Sequence, residues 1–152
     1  MNIIYSDEPI EERLKLNIHS IFLAGPTPRS KDIYSWRPIA IDVLNYLQYD
    51  GQVIVPERKD KAEHIDYIGQ VEWELFGLTH CKSIVFWVPR NMKTMPGLTT
   101  NVEFGKYASY SNTFYGRPDW AVKCIYLDWF YKKFNNKPIH NTLNTLLKEA
   151  II

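Results

Sequence analysis

The run Ile84 to Val88 is apolar at every position, with no alternation between a wet side and a dry one. A strand of that kind must be buried on both faces, and helices covering both faces of a parallel sheet provide that burial. The surrounding sequence supplies such helices, because short apolar runs alternate with segments of helical period, as in βαβ units. Ile18 to Ala24 reads as a strand ended by Gly25-Pro26. Trp36, Ile39, Ala40, Val43, Leu44 and Leu47 then repeat at helical spacing. Ser35 is placed to cap that helix, and Pro38 falls in its first turn, where proline is tolerated. Gln52 to Val55 is a second strand, closed by Pro56. Ile68, Val71, Leu75 and Leu78 share one stripe of the next helix, and Ser83 to Val88 is the central strand, ended by Pro89. A third helix is expected from about Asn101 to Tyr110, a strand at Val122 to Leu127, and a closing helix at Thr142 to Ala150. Ile3 to Tyr5 adds a further strand. The expected fold is an α/β three-layer sandwich with a mainly parallel sheet of four to five strands.

Size and composition narrow the function classes. A chain of 152 residues with no Pro/Gly/Ser-rich linker is expected to form one domain over residues 1–152. Its 18 basic and 17 acidic residues nearly cancel. That balance argues against a protein acting mainly through a basic field on a nucleic acid polymer or an acidic membrane. No apolar run approaches the roughly 20 residues of a membrane span. Asp7, Glu8, Glu11 and Glu12 stand where a signal peptide would be basic and then apolar. Two cysteines, Cys81 and Cys124, make neither a disulfide framework nor a zinc site, so a reduced, cytoplasmic protein is expected. Both read as inert core thiols.

Ligands of such sheets bind beyond the carboxyl ends of the strands. Three loops lie there: Gly25 to Ser30, Pro56 onward, and Pro89 to Thr100. None carries GxGxxG, a Walker A sequence or a G-x-S-x-G elbow, so the usual cradles for dinucleotides, nucleoside triphosphates and hydrolase nucleophiles are missing. His19, His64, His80 and His140 are scattered, without metal-ligand spacing.

Carboxylate chemistry remains. Glu103 falls in the first turn of the third helix, directly after the loop from the central strand. Thr100 and Glu103 fit a T-x-x-E capping box, which is one reading. The other is a nucleophile kept ionised at neutral pH by the helix macrodipole. On the preceding helix, Glu72 and Glu74 flank the apolar stripe at about 80° on either side, and periodicity does not choose between them. A carboxylate pair about 5–5.5 Å apart is the arrangement of a retaining glycosidase. In the loop Ile21 to Ser30, free backbone N–H groups, Thr27, Arg29 or Ser30 could hold a ligand, or Arg29 could simply be solvated. Of the aromatics, which make up 14% of the chain, Trp36 and Trp73 are placed to flank the cleft, and Trp120 and Trp129 suit an interface.

Taken together, GPTPRS and SWRP, the VPE at Val55 to Glu57, QVEWE, IVFWVPR at Ile84 to Arg90, and GLTTNVEFGKY resemble the nucleoside 2-deoxyribosyltransferase-like family. The similarity runs from about Ile18 to the C-terminus and takes in the opening IIYSDEPI. It implies a flavodoxin-like, Rossmann-type domain that attacks the N-glycosidic bond of nucleosides or nucleotides. It maps the nucleophile to Glu103 and, by distance to Val88-Pro89, the second acid to Glu74, where the family often has Asp. Gly25, Pro26, Thr27, Arg29, Ser30 and Asn101 are the implied substrate-binding positions. Where the family often carries another acid just before the nucleophile, this chain has Lys93, Thr94 and Met95. Thr27 and Pro28 replace an aromatic residue of the transferase form. The resemblance implies no metal or organic cofactor, a small-molecule nucleoside or nucleotide as partner, and a homo-oligomer. Three readings stay open: sugar transfer to another base or to water, hydrolysis of a nucleoside 5′-monophosphate with Arg29, Ser30 and Arg90 as phosphate ligands, and a nucleotide sensor without turnover.

Overall fold

A computed structural model describes residues 1–60 and 66–152, so His64 lies outside the described residues. The elements run β1 (Asn2–Tyr5), α1 (Ile10–Arg13), β2 (Ser20–Ala24), α2 (Arg37–Tyr46), β3 (Gln52–Val55) and α3 (Tyr67–His80). They continue with β4 (Ser83–Trp87), α4 (Leu98–Tyr107), β5 (Thr113–Gly116), α5 (Ile125–Phe134), β6 (Ile139–His140) and α6 (Leu143–Ala150). Among the described residues the strands pair in parallel throughout, in one six-stranded sheet of order β1-β3-β2-β4-β5-β6. Setting the β1 edge aside, this is the flavodoxin-like 2-1-3-4-5 order. The order reverses between β2 and β4, which pair from Ile21 with Ser83 to Ala24 with Phe86.

The central strands are apolar after the polar residue that opens each (Ser20, Gln52 and Ser83), and they are buried at every position. Alternate residues of each feed two cores. Phe22, Ile54, Ile84 and Phe86 pack with Trp73, Leu78, Phe104, Leu127 and Tyr131 from α3, α4 and α5. Ile21, Leu23, Val53 and Val85 pack with Ala40 and Leu44 of α2 and Leu146 and Leu147 of α6. The three-layer α/β expectation holds, with one strand more than expected. Among the described residues no helix is long and apolar enough to cross a membrane.

Four local expectations are corrected. Val122 to Leu127 is not a strand: Cys124 is the N-cap of α5, and Cys124, Leu127 and Tyr131 bury one helical face while Ile125 and Tyr126 stay exposed. The strand lies earlier, at Thr113–Gly116, too short and polar to stand out by composition. The stripe Ile68, Val71, Leu75 and Leu78 is not the core face of α3. Trp73, Gly77 and Leu78 are buried, whereas Ile68, Val71 and Leu75 are 64%, 41% and 48% exposed. Gly77 allows this rotation, because a Cβ there would press on the Phe22 ring. The third helix starts at Leu98, three residues earlier than expected. Elsewhere, Pro38 does lie in the first turn of α2, but the N-cap is Trp36, and Ser35 one residue earlier accepts the Arg37 N–H.

Candidate active site

The loops after β2 and β4 meet at the switch point and are fastened there by backbone and buried arginine. Gly25 has φ +145, and a Cβ on it would strike the Trp87 carbonyl oxygen, so only glycine lets β2 leave the sheet this close to β4. Gly97 (φ +64) is the left-handed N-cap of α4 and packs against Pro26. The Arg29 N–H donates to the Thr94 carbonyl at 2.9 Å, joining the two loops. Arg90 is 3% exposed and donates to the Lys123 carbonyl (2.9 Å) and the Asn101 Oδ1 (2.5 Å). That arginine holds the start of α4, so it is not placed as a phosphate ligand.

Among the described residues Arg37 is the other buried arginine, at 1% exposure. Its Nε donates to the Leu23 carbonyl (3.0 Å), Nη2 to the Gly25 carbonyl (2.8 Å), and Nη1 to Thr27 Oγ1 (3.1 Å) and Glu57 Oε1 (2.5 Å). Ser35 Oγ donates to the same carboxylate oxygen at 2.8 Å. The guanidinium thereby pins the loop after β2 to the end of β3. The Trp36 indole adds a bond to the Pro26 carbonyl at 3.1 Å. A buried charge is tolerable only when paired and saturated with hydrogen bonds, and this one is.

Behind these loops lies a cavity of about 350 Å³, lined by Gly25, Thr27, Arg29, Arg37, Glu74 and Glu103, among others. That size is at the low end for small-molecule sites. The rotation of α4 is set by Phe104, which packs edge-on against Phe86 and Tyr115 with centroids 5.1 and 4.8 Å away. Glu103, its neighbour, is thereby turned toward α3. There it meets Glu74 within hydrogen-bond reach, whereas Glu72 faces solvent. The choice that periodicity left open falls on Glu74.

The electrostatics differ from the sequence expectation. Thr100 is the third residue of α4 and Glu103 the sixth, so neither can form the capping box. Glu103 lies in the second turn, past the free N–H groups, where the macrodipole has little hold. Its carboxyl is pushed up to about 8, first by burial and then by the charge of Glu74, with Arg37 pulling the other way. At neutral pH Glu103 therefore keeps a proton instead of standing ionised, and the pair holds a proton between its two carboxyls.

Other expected positions fall at varied distances from this centre. Gly25, Thr27 and Arg29 line the cavity. Pro26 is buried and does not line it, its carbonyl accepting from the Trp36 indole, and Asn101 is exposed and engaged by Arg90. Ser30 lines a second cavity of about 400 Å³, which shares Thr27, Arg29, Tyr67, Gln70 and Glu74 with the first. Trp36 and Trp73 are buried beside the cleft, while Trp120 and Trp129 are 62% and 57% exposed. Cys81 and Cys124 are buried free thiols, and burial raises both, Cys81 to about 12. Among the described residues no group of three or more His, Cys, Asp or Glu gathers as a metal site. Sequence reasoning missed Arg37, Gln70 and Tyr67 as site residues. Arg37 and Glu57 sat inside SWRP and VPE, but no local pattern announces that they meet.

No curated protein matches the chain by sequence. The family model described as nucleoside 2-deoxyribosyltransferase like matches residues 18–119, which span both loops, Arg37, Glu74 and Glu103. With most of its length matched, and with the flavodoxin-like sheet beneath the carboxylate pair, the chain belongs to the nucleoside 2-deoxyribosyltransferase-like family.

Proposed function

We propose that this protein cleaves the N-glycosidic bond of a nucleoside or deoxynucleoside through a covalent sugar–Glu103 intermediate, and passes the sugar to another base or to water. The observation that carries the reading is the Glu103–Glu74 pair, in hydrogen-bond reach inside one cavity with a proton kept at neutral pH. Double displacement needs that composition: one carboxylate to attack and one carboxylic acid to protonate the leaving group. At rest the proton is on Glu103, and attack requires it on Glu74. As the C1′–N bond lengthens, the positive charge developing at C1′ stabilises the Glu103 anion, and the proton passes along the shared hydrogen bond to Glu74. A Glu103 oxygen then bonds to C1′. The C1′–N electron pair leaves with the base, and the Glu74 proton goes to that base. In the second half, the Glu74 carboxylate takes a proton from the incoming base or water, which attacks C1′ and frees Glu103. The sequence uses no metal or organic cofactor.

The test is a panel of nucleosides and nucleotides, incubated with and without a free acceptor base and separated by chromatography. Base release with sugar appearing on the acceptor supports transfer, and release without exchange supports hydrolysis. Ligand binding with no release from any member over hours would refute the catalytic reading in favour of a sensor.

One observation favours a 5′-phosphate on the substrate. The second cavity opens beside Glu74 and carries Arg29, Ser30, Lys31 and Arg58 on its wall. Arg58 is shared with Asp60 through a bidentate pair at 3.0 and 2.9 Å, which leaves Arg29 and Lys31 as the more available cations. Faster turnover of a monophosphate than of its nucleoside would select this form. A homo-oligomer is also part of the proposal. Tyr67 and Val71 of α3 and Leu98 of α4 line the cavity while exposed, and Ile68, Leu75 and Val102 are further exposed apolar residues of the same two helices. A second copy seated there would close the site.

A further inference from the structure

One turn before Glu74, Gln70 donates its Nε2–H to Glu74 Oε1 at 2.6 Å. The amide's other end goes unserved: Gln70 Oε1 is buried and has no hydrogen-bond partner among the described residues. An orphaned buried acceptor is destabilising, and an amide free to turn would relieve it. The carboxylate prevents the turn, because an oxygen facing an oxygen repels, so the NH₂ group is locked on Glu74. The amide is therefore fixed by the carboxylate at the expense of its own oxygen.

We propose that Gln70 is a positioning residue that holds the Glu74 carboxyl in the orientation from which it protonates the leaving base. This rests on the reading of Glu74 as the group that protonates that base. When the C1′–N bond breaks, its electron pair goes to the base nitrogen, and the Glu74 proton follows to the base. Glu74 is left as a carboxylate. The amide holds Oε1 both before and after that transfer, so the proton travels through the carboxyl's other oxygen. Glu74 turns its remaining oxygen to the base, and the fixed amide keeps the carboxyl from rotating. The i, i+4 spacing on α3 sets this geometry, since residues four apart lie on one helix face. No element besides α3 is needed to deliver the donor.

The effect depends on how much the leaving base needs a proton. 2′-Deoxyguanosine needs one, whereas 7-methyl-2′-deoxyguanosine already carries a positive charge on its base and leaves without one. Gln70→Met is expected to lower kcat/KM on 2′-deoxyguanosine by about tenfold or more and on the 7-methyl compound by less than about threefold. The more conservative Gln70→Asn, whose amide is one methylene too short, is expected to give the same selective pattern and covers the case where the methionine variant does not fold. Equal losses on both substrates, or no loss on either, would overturn the proposal. Release of base from neither substrate by the wild-type protein would instead overturn the catalytic reading beneath it, so the two failures are distinguishable.

Discussion

Replacing Glu103 by Gln should make the protein more stable, and increasingly so as pH rises. In the folded chain burial and Glu74 raise the carboxyl from its usual 4.5 to about 8. Between those values the folded state keeps a proton that the unfolded chain has released. Folding stability therefore falls as pH rises through this window and levels off above about 8. One full proton of difference is worth about 1.4 kcal/mol per pH unit, which puts the ceiling near 5 kcal/mol across the window. Glu103 is only partly buried at the wall of an open cavity, so roughly half of that is expected, about 2–3 kcal/mol. Glutamine has the same shape, does not ionise, and can donate to the Glu74 carboxylate. Urea unfolding of both proteins at about pH 5, 7 and 9 measures the difference by linear extrapolation. Their stabilities should nearly coincide at the lowest pH and separate to about 2–3 kcal/mol at the highest. Curves that run parallel across the window would refute the claim that Glu103 holds its proton in the folded protein. A destabilised glutamine variant at the highest pH would refute it more strongly.

Three further outcomes follow from the same geometry. Base release should decline as pH rises through about 8, where the pair loses its last proton and with it the acid; a rate still climbing above that value would contradict the shared-proton pair. Arg37→Met strands the Glu57 carboxylate and the Leu23 and Gly25 carbonyls, and urea unfolding should show a loss of about 3–5 kcal/mol, against less than about 1 kcal/mol if the clamp were superficial. Gly25→Ala meets both the Trp87 carbonyl and a disfavoured φ, so it should lower the midpoint of thermal unfolding by several degrees, while Gly105→Ala, with open space around its Cβ, should not.

Much of this fold was legible because burial on both faces leaves an unmistakable pattern. Ile84 to Val88 and Ile21 to Ala24 are apolar at every position, and they became the two strands that flank the switch point. The pattern misled where an apolar residue is not a buried one. Val71 and Leu75 belong to a helical stripe, yet Trp73 and Gly77 take the core face, because a large ring and a bare backbone fit against Phe22 better. Cys124 and Leu127 looked like strand because six residues are too few to separate period 2 from period 3.6. At the site, Glu103 and Glu74 were reachable from spacing and resemblance. The state of their proton was not, since it depends on burial and on a neighbour 29 positions away. Arg37 and Gln70 were missed for a similar reason. An arginine or glutamine in an ordinary helix gives no local sign that a carboxylate will be folded against it.

The central claim is that Glu103 forms the bond to the sugar. A nucleoside fluorinated at C2′ slows both displacement steps by withdrawing electrons from C1′, so an intermediate accumulates if its base leaves readily. Peptide mass spectrometry of the wild-type protein, quenched during reaction with such a substrate, locates the bond. One fluorosugar is expected on the peptide that carries Glu103, and no addition in Glu103→Gln. Base released with no sugar on Glu103, or at an undiminished rate by the glutamine variant, would contradict it.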